Sequence, residues 1–83
     1  MPVLFVLDVA EFAPVIAAVK NQPGVTISGP AGGYWRAESD STIALNRKKS
    51  GIRLALWYSS LMGGYAGHIK QFDRDDIVIA DPG

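Results

Sequence analysis

His68 is the single histidine of this 83-residue chain. An imidazole acting as general base needs a nucleophile or an orienting acid placed with it. Ser59 and Ser60 do not stand in the Gly-x-Ser-x-Gly context that exposes a catalytic serine. Cysteine is absent, which removes thiol catalysis, thiolate metal sites and disulfides together. Asp73, Asp75 and Asp76 offer oxygen ligands for a hard cation, but the EF-hand spacing and its closing glutamate are missing, so they read as a solvated turn. Gly29 to Gly33 is glycine-rich and follows a strand pattern. It has neither the Gly-x-Gly-x-x-Gly nor the lysine-bearing phosphate-loop pattern, and a strand follows it rather than a helix. It reads as a hairpin turn, where glycine supplies the positive φ.

The remaining candidate chemistry is that of contact. Arg47, Lys48 and Lys49 form a basic run, and Tyr34, Trp35, Trp57 and Tyr58 could stack bases beside it. Eight basic and eight acidic residues cancel, however, which argues against a nucleic-acid partner. Neighbours on a strand point to opposite faces. The two adjacent aromatic pairs therefore cannot all face inward if they lie on strands, and Trp35 or Tyr34 is expected at an interface, where such side chains are favoured.

The elements that would carry these residues follow from the hydrophobic pattern. Val3 to Leu7 is a continuous apolar run, as in a buried strand. Asp8 and Glu11 resemble a capping box, and Leu7 and Phe12 a hydrophobic staple. Phe12, Val15, Ile16 and Val19 mark one face of a helix. Pro14 is tolerated only near a helix start, which places the regular helix from about Ala13. Asn21, Pro23 and Gly24 end it. Three strands then follow at Val25 to Ser28, Tyr34 to Glu38 and Thr42 to Asn46, expected as an antiparallel meander with Ile43 and Leu45 inward.

Ser50 to Met62 reads as a helix capped by Ser50 and ended by Gly63, although Ile52, Leu54, Leu56 and Tyr58 also alternate as in a strand. His68 to Phe72 and Ile77 to Ala80 close as a hairpin around Asp73 to Asp76. The expectation is α+β: one small domain over residues 1–83, mostly antiparallel sheet with two helices, in the order β-α-β-β-β-α-β-β. No run approaches the roughly 20 apolar residues of a membrane span, and the first residues lack the basic region of a signal peptide. A cytoplasmic protein is expected.

In order, these pieces resemble the effector proteins of bacterial soluble di-iron monooxygenases, the coupling or regulatory components of the methane, phenol, toluene and propane enzymes. The likeness rests on three stretches. The helix followed by Asn21-Gln-Pro-Gly-Val-Thr-Ile27 is similar to the family's helix, turn and strand. Tyr34-Trp-Arg36 followed by Ile43-Ala-Leu-Asn-Arg47 is similar to an aromatic-x-Arg strand and a strand ending near Asn-Arg. Ser59-Ser60, Gly67-His-Ile-Lys-Gln-Phe-Asp73 and Asp76-Ile-Val-Ile-Ala-Asp-Pro82 look like the family's Ser-Ser segment, acidic turn and final strand. The segment between Arg47 and Gly67 departs, being shorter and apolar where the family places a charged helix.

The resemblance implies a protein without metal, flavin or haem that docks on a di-iron hydroxylase and alters substrate access, oxygen access and turnover. A cofactor-free protein does this only by favouring one hydroxylase conformation. Interface residues are expected at Trp35 and Arg36, at Arg47, at Trp57, and at Gly67 with His68; glycine at 67 would let another backbone approach closely. A second reading is a small self-associating domain, a homodimer or assembly module, that binds an apolar small molecule. It is motivated by the apolar surface of Ile52 to Met62.

Overall fold

A computed structural model of the chain describes residues 1–81. Seven strands pair into two antiparallel sheets. The first has the order β2-β3-β1-β5, from β1 (Val3–Leu7), β2 (Val25–Ala31), β3 (Tyr34–Ser39) and β5 (Tyr65–Ala66). The second has the order β4-β7-β6, from β4 (Ile43–Asn46), β6 (His68–Phe72) and β7 (Asp76–Ala80). Helix α1 (Ala13–Lys20), preceded by a 3-10 turn at Ala10–Phe12, packs between them. One apolar cluster joins all of this: Leu4, Val6 and Ala37 from the first sheet, Ile43, Leu45, Ile77 and Ile79 from the second, Val15 and Val19 from α1, and Ile52 and Trp57. The α+β class read from the sequence holds.

Pro14 sits in the first two positions of α1, where its missing N–H costs nothing. The capping box does not form. Val9 precedes the 3-10 turn with no side-chain cap, and the Asp8 carboxylate accepts a hydrogen bond from the Trp35 indole N–H at 2.9 Å. The long-range partner has displaced the local one.

The expected meander stops after two strands. β2 and β3 form a hairpin whose loop is Gly32–Gly33, both with positive φ, as a two-residue turn requires. β3 then pairs with β1 on its other side, and β4 belongs to the second sheet, beside β7. The buried Ser39 redirects the chain. Its backbone N–H donates to Pro2 O, its hydroxyl donates to Thr42 O at 2.7 Å, and that hydroxyl accepts from the Ser41 N–H.

Ser50 to Met62 is not one helix. Two single-turn helices replace it: α2 (Arg47–Ser50) and α3 (Leu54–Trp57). The Asn46 side chain caps α2 by accepting the Lys49 N–H at 3.0 Å, and Gly51, at φ +70°, ends it. Ser50 closes α2 rather than capping α3; its hydroxyl donates to Asn46 O. Beyond Trp57 the chain descends through successive turns, with Ser60 N–H to Trp57 O, Met62 N–H to Ser59 O and Gly64 N–H to Leu61 O. Three short helices and a 3-10 turn thus stand where two helices were expected.

Tyr65 to Phe72 serves both sheets. It pairs with β1 as β5, passes Gly67, and pairs with β7 as β6. The crossing needs glycine at 67: φ is +133°, and a Cβ there would meet Ala80 O at 2.5 Å and Ile79 Cγ2 at 3.0 Å. The β6–β7 hairpin turns at Asp73 to Asp76, as the sequence indicates.

Candidate functional site

The residues expected at an interface are spread over three places. Trp35 and Arg36 lie on β3, opposite Val6 and Phe5 of β1. Trp35 is half-buried and held by Asp8. Arg36 is exposed and reaches Glu38 on its own strand at 3.0 Å. Gly67 and His68 lie at the sheet crossing, with His68 exposed on the edge strand β6. The close approach expected at Gly67 is made by the chain's own β7, through Ala80.

Arg47 and Trp57 come together at the β6–β7 turn, and both act as anchors there. Arg47 Nε donates to Arg74 O at 2.8 Å, its backbone N–H donates to Asp75 O, and its guanidinium stands 3.8 Å from the Asp75 carboxylate. Trp57 is fully buried, so its ring does not reach a partner in this conformation, contrary to the expectation of an interface tryptophan. Its indole N–H donates to Asp73 O at 2.6 Å. Of the residues from Arg47 to Trp57, Ile52 and Trp57 are the two buried in the core beneath this turn.

Asp73 organises the turn from the inside. Its carboxylate accepts the Gln71 side chain and the backbone N–H groups of Asp76 and Asp75. These bonds favour the ionised form and hold its pKa below the ordinary carboxylate value, the Gln71 contact contributing most. Among the described residues no group of three or more acidic or histidine side chains is disposed to hold a metal.

Sequence reasoning missed the exposed ring pair. Tyr58 and Phe72 lie 6.0 Å apart between centroids, tilted by 36°, and Leu54, one helical turn before Tyr58, is exposed on the same side. The two halves of this patch are 14 positions apart, and no local pattern announces them. Also unannounced is a cavity of about 210 Å³ lined by Leu7, Phe12, Tyr34, Ser59, Ser60, Met62 and Gly63. Gln22 was read only as part of the turn after α1. Its side-chain amide accepts the Ala44 N–H and donates to Thr42 O, each at 2.9 Å, and so occupies the outer edge of β4.

Fold and surface together define a small two-sheet α+β protein that offers aromatic and apolar contact area. No family model matches the sequence, and no curated protein matches it. Among solved structures, the chain is similar to a chain in the structure of the phenol hydroxylase–regulatory protein complex, with a TM-score of 0.76 at 14% identity, over 95% of each chain. The matched chain is therefore about as long as this one. At that identity the likeness is one of fold, shared with a chain of a hydroxylase–regulatory protein complex, and it agrees with the sequence resemblance. Among the described residues no helix is long and apolar enough to cross a membrane.

Proposed function

We propose that this chain is a non-catalytic regulatory component that binds the hydroxylase of a di-iron monooxygenase and biases its turnover. The observation that carries this reading is the fold match over 95% of both chains to a chain of a hydroxylase–regulatory protein complex. The chemistry is compatible: the lone histidine stands on an exposed edge strand, and the carboxylate of Asp73 and the hydroxyl of Ser39 are taken up by their turns.

Binding alone changes nothing in a partner unless the affinity differs between partner conformations. A typical coupling of about 1–3 kcal/mol changes a binding constant roughly 5–150-fold. In this reading Trp35, Arg36 and His68 make the contacts. The Arg36–Glu38 pair is solvent-exposed and contributes little to stability, so Arg36 is free to exchange its partner for a hydroxylase carboxylate. Arg47, Trp57 and Gly67 act indirectly, by fixing the β6–β7 turn and the strand that bears His68. The chain works in the cytoplasm beside its hydroxylase.

Sedimentation velocity of the chain mixed with the hydroxylase of a di-iron monooxygenase from the same cells tests the docking. A faster-sedimenting complex that weakens several-fold in Trp35→Ala and Arg36→Ala, with folding unchanged, is expected. Independent sedimentation of the two at all ratios refutes it.

A further inference from the structure

The cavity between the ends of β1 and β3 and the turns of residues 58–63 is apolar on most sides. Leu7, Phe12, Tyr34 and Met62 line it. Gly63 lets the wall pack closely on β1 and on the Tyr34 ring: an added methyl there would run into Phe5 O and would stand 3.2 Å from Tyr34 Cε1. Ser59 and Ser60 supply the only hydroxyls of its wall besides that of Tyr34. Ser60 is fully buried and spends its proton on a long bond to Leu56 O, 3.4 Å. Ser59 is half-buried, and its hydroxyl takes no part in the side-chain hydrogen bonds among the described residues. Met62 stands at the mouth with 82% of its surface exposed; an unbranched thioether of this kind adapts to what it covers.

Size and lining select the ligand. A cavity of roughly 150 Å³ lined by Leu, Ile and Phe takes up benzene, whereas sites for drug-sized ligands run from about 300 Å³ upward. At about 210 Å³ this cavity has room for one ring. We propose that it is a binding site for a single aromatic ring carrying one hydrogen-bonding substituent. The ring packs against Phe12, Tyr34, Leu7 and Met62, and the substituent hydrogen-bonds to Ser59. This site belongs to the chain alone and does not depend on its docking to a hydroxylase.

The test is a titration of the isotopically labelled chain, without any partner, by phenol and separately by benzene, followed by amide NMR shifts. Saturable shifts confined to Phe12, Tyr34, Ser59, Met62 and Gly63 are expected below about 10 mM phenol, an affinity modest enough for so small a ligand. Ser59→Ala is expected to weaken phenol about 2–10-fold, the worth of one hydrogen bond, while changing benzene less than twofold. Ser59→Leu, which fills the cavity, abolishes both. Linear, unsaturated shifts in the unaltered chain overturn the proposal, as do shifts centred on the exposed Tyr58–Phe72 pair. The unaltered chain decides the matter even where a variant fails to fold.

Discussion

Gly67→Ala should cost the domain a large part of its stability. The residue lies at φ +133°, a conformation that side-chain-bearing residues hold only at about 1–3 kcal/mol. The new methyl would also face Ala80 O at 2.5 Å, Ile79 Cγ2 at 3.0 Å and Pro2 Cβ at 3.2 Å. The nearest of these is backbone in the buried strand β7, which cannot swing away as a side-chain tip could. Such overpacking adds about 1–3 kcal/mol. The sum, about 2–6 kcal/mol, compares with a whole-domain stability of roughly 4–12 kcal/mol for a chain of this size. Gly32→Ala is the control: φ is +59° and nothing lies within 4 Å of the new methyl, so only the left-handed cost of about 1–2 kcal/mol applies. Urea unfolding followed by tryptophan fluorescence measures both. For Gly67→Ala a loss of about 3 kcal/mol would lower Tm by about 12–24 °C. Equal midpoints for the two variants would refute the account of a strand that must cross between sheets against Ala80.

Gln22→Ala removes both hydrogen bonds on the β4 edge, with an expected loss of about 1–3 kcal/mol and faster hydrogen exchange at the Ala44 amide. Trp57→Phe deletes the indole N–H bond to Asp73 O and leaves part of the core unfilled; a loss of about 2–4 kcal/mol in denaturant unfolding is expected. Asp73, with its pKa held below the ordinary value, contributes stability that is present above about pH 4 and is lost as the pH falls through its lowered folded-state pKa. An acid-unfolding series in which Asp73→Asn shows the same pH dependence as the unaltered chain would contradict that. Arg47→Lys keeps the charge but loses the Nε contact to Arg74 O, so it should destabilise by about 1 kcal/mol with little dependence on salt.

Local signals carried much of the fold in the sequence. The apolar run of β1, the helix start set by Pro14, the glycine-rich hairpin turn (read over Gly29 to Gly33, although β2 runs on to Ala31 and leaves only Gly32–Gly33 as the loop) and the Asp73 turn each depend on residues within a few positions of one another. What could not be read depends on partners far along the chain. Ser39 looks like any turn serine until Pro2 O and the core surround it, and that environment sends β4 into the second sheet. Asp8 caps nothing because Trp35, 27 positions on, takes its carboxylate. The helix expected from Ser50 is broken by Gly51 and by the need to bury both Ile52 and Trp57 in one core. At the candidate site the same division holds. Arg36 and His68 stand exposed on strands the hydrophobic pattern already marks. Trp57 has apolar bulk that looks identical in sequence whether it serves a core or a surface. The Tyr58–Phe72 pair and the apolar cavity assemble from separate segments, which no spacing rule brings together.

The proposed role is tested most directly by adding the chain to its hydroxylase and reductase at increasing ratios while recording both product formed and reductant consumed. A regulatory component predicts that the rate, or the product formed per reductant consumed, changes and then saturates near stoichiometric addition, with no turnover from the chain alone. Rate, coupling and product distribution that stay constant across the whole titration would contradict it.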